Sequence, residues 1–405
     1  MTGGSVPALV TIDRIRAARE QIRDAVRSTP TERSDTLSRF AGRSVLLKPE
    51  HLQRTGSFKI RGAFNFMLGA EPGVEVVAGS AGNHAQGVAL AAALTGHPAR
   101  VFMPERAALP KLLATSEYGA TVETVADGVE ACIARARAYA AEYGALFVPP
   151  FDDPAVIAGQ GTIGLEVAEE APDAQVVVVP VGGGGLLAGI AAALRATRPG
   201  VRIVGAQAEG ASSMRRSMAA GHVVEVDPAT MADGVALRRP GDLTLAHALA
   251  LIDEVVTVSE EEISRAVLLL LERAKALVEP SGAIPLAAIL SGRVGGDGPA
   301  VAVLSGGNVD PLLLKRLIDH GLSAAGRFMS MRVVIEDRPG GLHMLTGLLA
   351  RLGLNVLDVE HHREGLALPL AQVEVLVTVE TRDAAHQRDV VAALELEGYA
   401  VTTVR

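Results

Sequence analysis

Gln175-Val176-Val177-Val178-Val179-Pro180, followed after Val181 by Gly182-Gly183-Gly184-Gly185 and Leu186-Leu187-Ala188-Gly189, is the stretch from which the architecture can be read. A nearly unbroken valine run is the pattern of a strand buried on both faces, as parallel strands are when helices cover both sides. Four glycines then lead into a helical run, 186–196. With no side chains at four successive positions, backbone N–H groups can crowd round a phosphate, and the helix start adds its partial positive charge.

Outward from this unit the same alternation recurs, as in a doubly wound α/β sheet with crossover helices. Downstream, 202–208 reads as a strand, Ser259 with Glu262 forms a capping box for a helix expected to reach about Val278, and 300–304 reads as a strand ending in Ser305-Gly306-Gly307-Asn308. Upstream, 11–27 is an amphipathic helix and 45–47 a short strand. Strands at 74–78, 100–103 and 121–125 alternate with helices at 88–94, 109–118 and 127–143, and a helix opens at about Ala155 after Phe151-Asp152-Asp153-Pro154. The pattern changes at a short Gly/Ser/Ala stretch, 321–328, read as a linker. Beyond it the order strand, helix, strand, strand, helix, strand makes a small ferredoxin-like βαββαβ unit over 329–405. The first 320 residues are expected to form one region of two lobes, the smaller, about 50–148, inserted in the other.

Composition narrows the function. At 405 residues the chain can form two or three domains, and 49% hydrophobic against 21% charged residues describes a folded protein. A net charge of −8 and only 3% aromatic residues argue against a nucleic-acid surface. The one cysteine, Cys132, excludes a disulfide framework and favours a cytoplasmic setting. It reads as a packing residue. The absence of a signal-like N-terminus or a long apolar run points to a soluble protein.

Three further stretches carry chemistry. In Ser57-Phe58-Lys59-Ile60-Arg61-Gly62-Ala63 a lysine sits between two apolar residues just before a helical run, where burial would lower its pKa and free an amine to attack a carbonyl. Ser80-Ala81-Gly82-Asn83-His84-Ala85-Gln86-Gly87 is a second glycine-rich loop ahead of a helix, suited to a small carboxylate. Ser305 ends a strand with glycines behind it, so its hydroxyl can face a flat ligand. A dinucleotide site competes: Gly183-x-Gly185-x-x-Ala188 fits the nicotinamide fingerprint, with Glu209 ending the next strand. A nucleoside-triphosphate loop is excluded, because no Gly-Lys-Ser/Thr follows.

These stretches, with Gly159-Gln160-Gly161-Thr162, Ala232-Asp233-Gly234-Val235 and Glu279-Pro280-Ser281-Gly282-Ala283, occur in the order and spacing of the fold-type-II pyridoxal-phosphate enzymes (tryptophan synthase β-like), and within them the chain resembles the threonine dehydratases (threonine ammonia-lyases). The likeness spans 11–320. It implies that Lys59 forms the Schiff base, Phe58 packs beside the cofactor ring, Asn83 bonds its phenolic oxygen, Gly182–Gly185 with the Leu186 amide hold the phosphate, and Ser305 faces the pyridine nitrogen. The loop Ser80, Ala81, Gly82, Asn83 and His84 receives the substrate carboxylate, and Glu279 lies beside the site. The implied reaction is α,β-elimination of L-threonine, and of L-serine, to 2-oxobutanoate or pyruvate and ammonia, with Lys59 taking the Cα proton. The last unit resembles an ACT domain, with Asp337, Arg338, Pro339, Gly340, Gly341 and Leu342 as its effector loop. Its implication is amino-acid regulation in a homodimer or homotetramer.

Two departures matter. Ala81 stands where serine racemases have a proton-moving serine, so racemisation should be minor. Glu209 matches the first acid of the racemases' divalent site, but Arg215 occupies the place of a second, and no divalent metal is expected. His361 and His362 point to opposite faces of a strand, so they do not share a metal. A serine-preferring dehydratase, a β-replacement enzyme, a nicotinamide dehydrogenase and a non-catalytic amino-acid sensor are the competing readings.

Overall fold

The valine run forms the strand Val176–Pro180, buried at every residue, and it lies between the parallel strands Ala300–Val303 and Arg202–Ala208. In the computed structural model, which describes residues 7–362, 369 and 371–404, the chain makes two compact units, Met1–Leu314 and Lys315–Arg405.

The first unit holds two sheets. One runs in the order Glu32–Arg33, Val45–Lys48, Ala300–Val303, Val176–Pro180, Arg202–Ala208, Glu254–Val258, parallel except for its first strand. The other is wholly parallel, in the order Thr121–Val125, Ala99–Pro104, Val76–Gly79, Leu146–Phe147. The chain leaves the first sheet after Val45–Lys48, builds the second, and returns through the helix Pro154–Glu170, whose residues Val156–Val167 are all buried. That burial is possible because the helix meets its neighbours backbone to backbone. A Cβ on Gly189 of the helix Gly185–Thr197 would lie 2.4 Å from the Ile157 carbonyl oxygen, and one on Gly159 would lie 2.5 Å from that of Arg61. Glycine at these crossings fixes where the helix Lys59–Met67 can sit.

Four expectations need correction. Lys59 does not precede its helix but is the first residue of it. The helix expected from Val88 begins at Asn83, because Gly82 caps it and Asn83 and His84 enter the first turn. The capping box Ser259/Glu262 is present, yet its helix Glu260–Leu269 passes into a π turn, Leu270–Ala274, and stops well short of Val278. Lys275, in the left-handed conformation (φ 56°), lets the Ala276 N–H reach the Leu270 carbonyl, a stop that sequence does not reveal without a glycine. The stretch 321–328 is mostly not a linker: the helix Pro311–Ala324 runs into it, where Leu314, Leu317 and Gly321 keep a helical spacing, and a strand starts at Phe328.

In the second unit an antiparallel sheet runs Val356–His362, Gln372–Glu380, Phe328–Glu336, Ala400–Val404, with helices Gly341–Arg351 and Ala384–Leu396. Met331, Val333, Val375 and Val377 alternate along two strands and pack against Leu345, Leu349 and Leu394. This is a βαββαβ unit with the two hairpin-separated halves interleaved.

Candidate active site

Lys59 is placed by backbone on both sides. Ser57 bridges to Gly306, and the Phe58 N–H donates to the Ser305 carbonyl (3.1 Å), which ties the start of the helix to the end of the strand Ala300–Val303. The Lys59 Nζ then lies 5.2 Å from the centre of the Phe58 ring and donates to the Pro150 carbonyl at 2.8 Å. Although the residue is half-buried, its amine is enclosed. Desolvation lowers its pKa to about 8, against the upward pull of Glu279.

The glycine tetrad is braced from behind. Gly184 takes φ +97°, and a Cβ on Gly183 would overlap the Phe151 ring at 2.3 Å. Thr244 Oγ1 donates to the Gly183 carbonyl (2.6 Å), while Asp152 accepts from the Thr244 and Asp242 amides, both at 3.1 Å. The first-turn N–H groups of the helix Gly185–Thr197, Leu186 among them, have no partners within the helix, and a helix start of this kind favours an anion.

The loop at 80–84 carries polar groups where the tetrad carries none. Ser80 Oγ accepts from the Gly82 amide (3.1 Å). Asn83 Nδ2 donates to Glu279 Oε1 (2.6 Å), and its Oδ1 accepts from Asn308 Nδ2 (2.8 Å). Buried His84 has a pKa lowered to about 3, first by desolvation and then by Lys59, so it is neutral and its Nε2–H donates to the Val148 carbonyl (3.0 Å). Glu279 is 2% exposed; burial pushes its carboxyl up to about 7, with Asp233 adding to the effect, and among the described residues Oε2 has no hydrogen-bond partner.

Phe58, Lys59, Ser80, Ala81, Gly82, Asn83, His84, Gly182, Gly183, Gly184, Gly185, Leu186, Glu279 and Ser305 all line one cleft. Lys111, Asp233, Gln160 and Ser281 line it too, and sequence reasoning gave them no role. Gln160 and Ser281 lay in stretches whose spacing had already been singled out; Lys111 sits in an ordinary helix, Leu109–Glu117, and nothing local marks it. Asp337–Leu342 belong to the other unit, where Arg338 Nε pairs with Glu336 Oε2 at 2.6 Å and Gly340 takes φ +93°. Glu209 is exposed in the turn Glu209–Ala211, and Arg215 donates to Thr257 Oγ1 (3.0 Å). His361 is exposed, and the side chain of His362 lies outside the described residues.

Residues 22–306 match the family model described as pyridoxal-phosphate dependent enzyme. The chain is 45% identical to the L-threonine ammonia-lyase of Geobacter sulfurreducens over 397 residues, covering 96% of this chain and 98% of that one. It is 43% identical to the L-threonine ammonia-lyase of Thermotoga maritima over 401 residues, covering 98% and 100%. Among solved structures, the threonine deaminase of T.th. superimposes with a TM-score of 0.71 at 42% identity, covering 74% of this chain and 99% of that one. The nicotinamide reading of the glycines is thereby set aside.

Pyridoxal phosphate fits the residues present. An amine of lowered pKa lines the cleft, an unencumbered helix start can take the phosphate, and the buried Glu279 Oε2 and Ser281 Oγ lack partners. Lys59, the glycine tetrad, Asn83 and Ser305 are the groups that would hold it. On the match over most of its length, the chain belongs to the pyridoxal-phosphate dependent enzymes.

Proposed function

We propose that the protein is a threonine ammonia-lyase, converting L-threonine to 2-oxobutanoate and ammonia and acting also on L-serine. The observation that carries the reading is the Lys59 amine, desolvated and engaged by a single backbone carbonyl, in a cleft shared with the glycine tetrad and the loop 80–84. Near-full-length identity to relatives named L-threonine ammonia-lyase supports the choice of substrate.

Pyridoxal phosphate, when bound, supplies an electron sink next to the substrate's Cα. The protein's own groups do the rest. With a pKa of about 8, Lys59 is substantially neutral near pH 8 and accepts the Cα proton as a general base. In the loop Ser80–His84 the Ser80 N–H is held by the Phe102 carbonyl and the Gly82 N–H by Ser80 Oγ, and the remaining N–H groups orient the substrate carboxylate. Neutral His84, tied to Val148, cannot compete as an acid. Asn83 is locked between Glu279 and Asn308, so its amide N–H₂ keeps one orientation. Ser305 lines the cleft and would offer a bound cofactor's ring nitrogen a hydroxyl rather than a carboxylate, an arrangement that would favour loss of the β-hydroxyl. Ala81 has no proton to move, so inversion of the substrate is minor.

The reading extends to regulation. Residues 329–405 act as an ACT-like domain, an amino-acid effector binds at Asp337–Leu342, and the enzyme works as a cytoplasmic homodimer or homotetramer. No helix among the described residues is long and apolar enough to cross a membrane. Turnover of threonine and serine by the purified enzyme, with and without branched-chain amino acids, tests both parts. Ammonia released in step with 2-oxobutanoate supports the lyase, its absence sinks it, and an effector response that survives deletion of 329–405 removes the regulatory assignment.

A further inference from the structure

Lys111 and Asp233 meet across the cleft, one from the helix Leu109–Glu117 beside the four-stranded sheet, the other from the turn Asp233–Val235 packed near the six-stranded sheet. Their Nζ and Oδ2 atoms are 2.5 Å apart. The two partners are unequal: the lysine side chain is 10% exposed and the aspartate 48%. Among the described residues Asp233 is the one hydrogen-bond partner of the Lys111 amine.

The lysine also lies against the loop at 80–84. A Cβ on Gly82 would come within 2.9 Å of Lys111 Cδ and 3.3 Å of Nζ, so the absence of a side chain at 82 is what lets the ammonium approach the loop's N–H groups. The ammonium therefore borders the face of the loop that would receive a carboxylate.

We propose that Lys111 is a substrate-binding residue that exchanges Asp233 for the substrate's α-carboxylate. A nearly buried ammonium needs an anion in either state, whereas a half-exposed carboxylate passes back to water at small cost. Asp233 is then a built-in competitor. It is displaced by a ligand that brings its own carboxylate and stays in place when the ligand has none, which makes the pair a filter for amino acids over amines. The inference rests on the reading of the loop as the carboxylate site.

The test uses the full-length enzyme loaded with pyridoxal phosphate. Its cofactor absorbance is titrated with L-alanine, which has the carboxylate but no leaving group, and with L-alaninol, in which a hydroxymethyl group replaces the carboxylate. Lys111→Met is expected to weaken L-alanine by about 10- to 100-fold, the loss of one charge-assisted hydrogen bond, and to leave L-alaninol unchanged. Asp233→Asn, which removes the competitor, leaves L-alanine as tight as in the parent or tighter and does not tighten L-alaninol. Lys111→Gln serves if the methionine variant fails to fold. If both single variants weaken L-alanine alike, the pair is a clasp between the two sheets and the proposal falls. It falls equally if the parent prefers L-alanine and Lys111→Met keeps that preference. A parent that does not distinguish the two ligands overturns the carboxylate loop itself, and the proposal with it.

Discussion

Lys59 and Arg61 stand two residues apart on one helix, and the fold treats their charges in opposite ways. The Arg61 guanidinium, fully buried, is closed in by Glu50 (Nη2–Oε1 2.8 Å, Nε–Oε2 2.9 Å) and Glu166 (Nη1–Oε1 2.6 Å, Nη2–Oε2 3.0 Å). Lys48 adds a second cation to Glu166 at 2.7 Å. Burial opposes the arginine's charge, but the coulombic pull of Glu50 and Glu166 outweighs it, and the pKa rises above its ordinary value. Lys59 meets a backbone carbonyl, and its carboxylate neighbour Glu279 has one oxygen with no partner. Complete pairing makes a charge permanent, and incomplete pairing leaves a proton movable. The first arrangement holds the helix in place; the second leaves its first residue with a movable proton.

The largest effect that would break the comparison is at Lys59. Lys59→Ala should lower threonine turnover by at least about four orders of magnitude, more than about 5 kcal/mol of barrier, and abolish the visible absorbance of the cofactor complex while leaving the far-ultraviolet circular dichroism unchanged. An active alanine variant would remove the base from this site. Arg61→Ala should do the reverse. Stripping the cation from Glu50 and Glu166 strands buried carboxylates and should cost about 3–5 kcal/mol of stability, read as a shift of the denaturant midpoint. A variant as stable as the parent would mean that the cluster is not holding the helix.

Glu279 sharpens the other half. Its carboxyl is raised from 4.5 to about 7, chiefly by desolvation, so between those values the folded protein holds a proton that the unfolded chain releases. Folding is therefore favoured fully below pH 4.5, and that contribution is lost as pH rises towards 7, by up to about 3 kcal/mol. Glu279→Gln should flatten this slope in the cofactor-free protein. A slope unchanged by the substitution would assign it to another group.

This contrast marks where sequence reading stops. The valine run, the tetrad and the capping box were legible because each is local: period, missing side chains and a three-residue spacing carry the information. The enclosure of Lys59 was legible for the same reason, through Phe58 and Ile60 on either side. The partners of Arg61 come from residues 11 and 105 positions away, and Lys111 meets Asp233 across 122, so no local pattern announces them. The corrections share that origin. Gly82 at the N-cap lets a helix start at Asn83, and a left-handed lysine rather than a glycine ends the helix before Val278.

The smallest effect lies on the same helix as Glu166. Three residues on, Glu169 accepts from Arg19 through both oxygens (2.5 and 2.7 Å), a geometry as good as that around Arg61. Its side chain, however, is 57% exposed and that of Arg19 41%. Water and salt screen such a pair, and holding two long side chains in one geometry costs entropy, so Arg19→Ala should destabilise by less than about 1 kcal/mol, and less still at high salt. Denaturant midpoints for Arg19→Ala and Arg61→Ala, measured at low and high salt, separate geometry from burial as the source of strength. If the exposed pair mattered as much as the buried one, bidentate geometry alone would account for Arg61, and its enclosure would explain nothing.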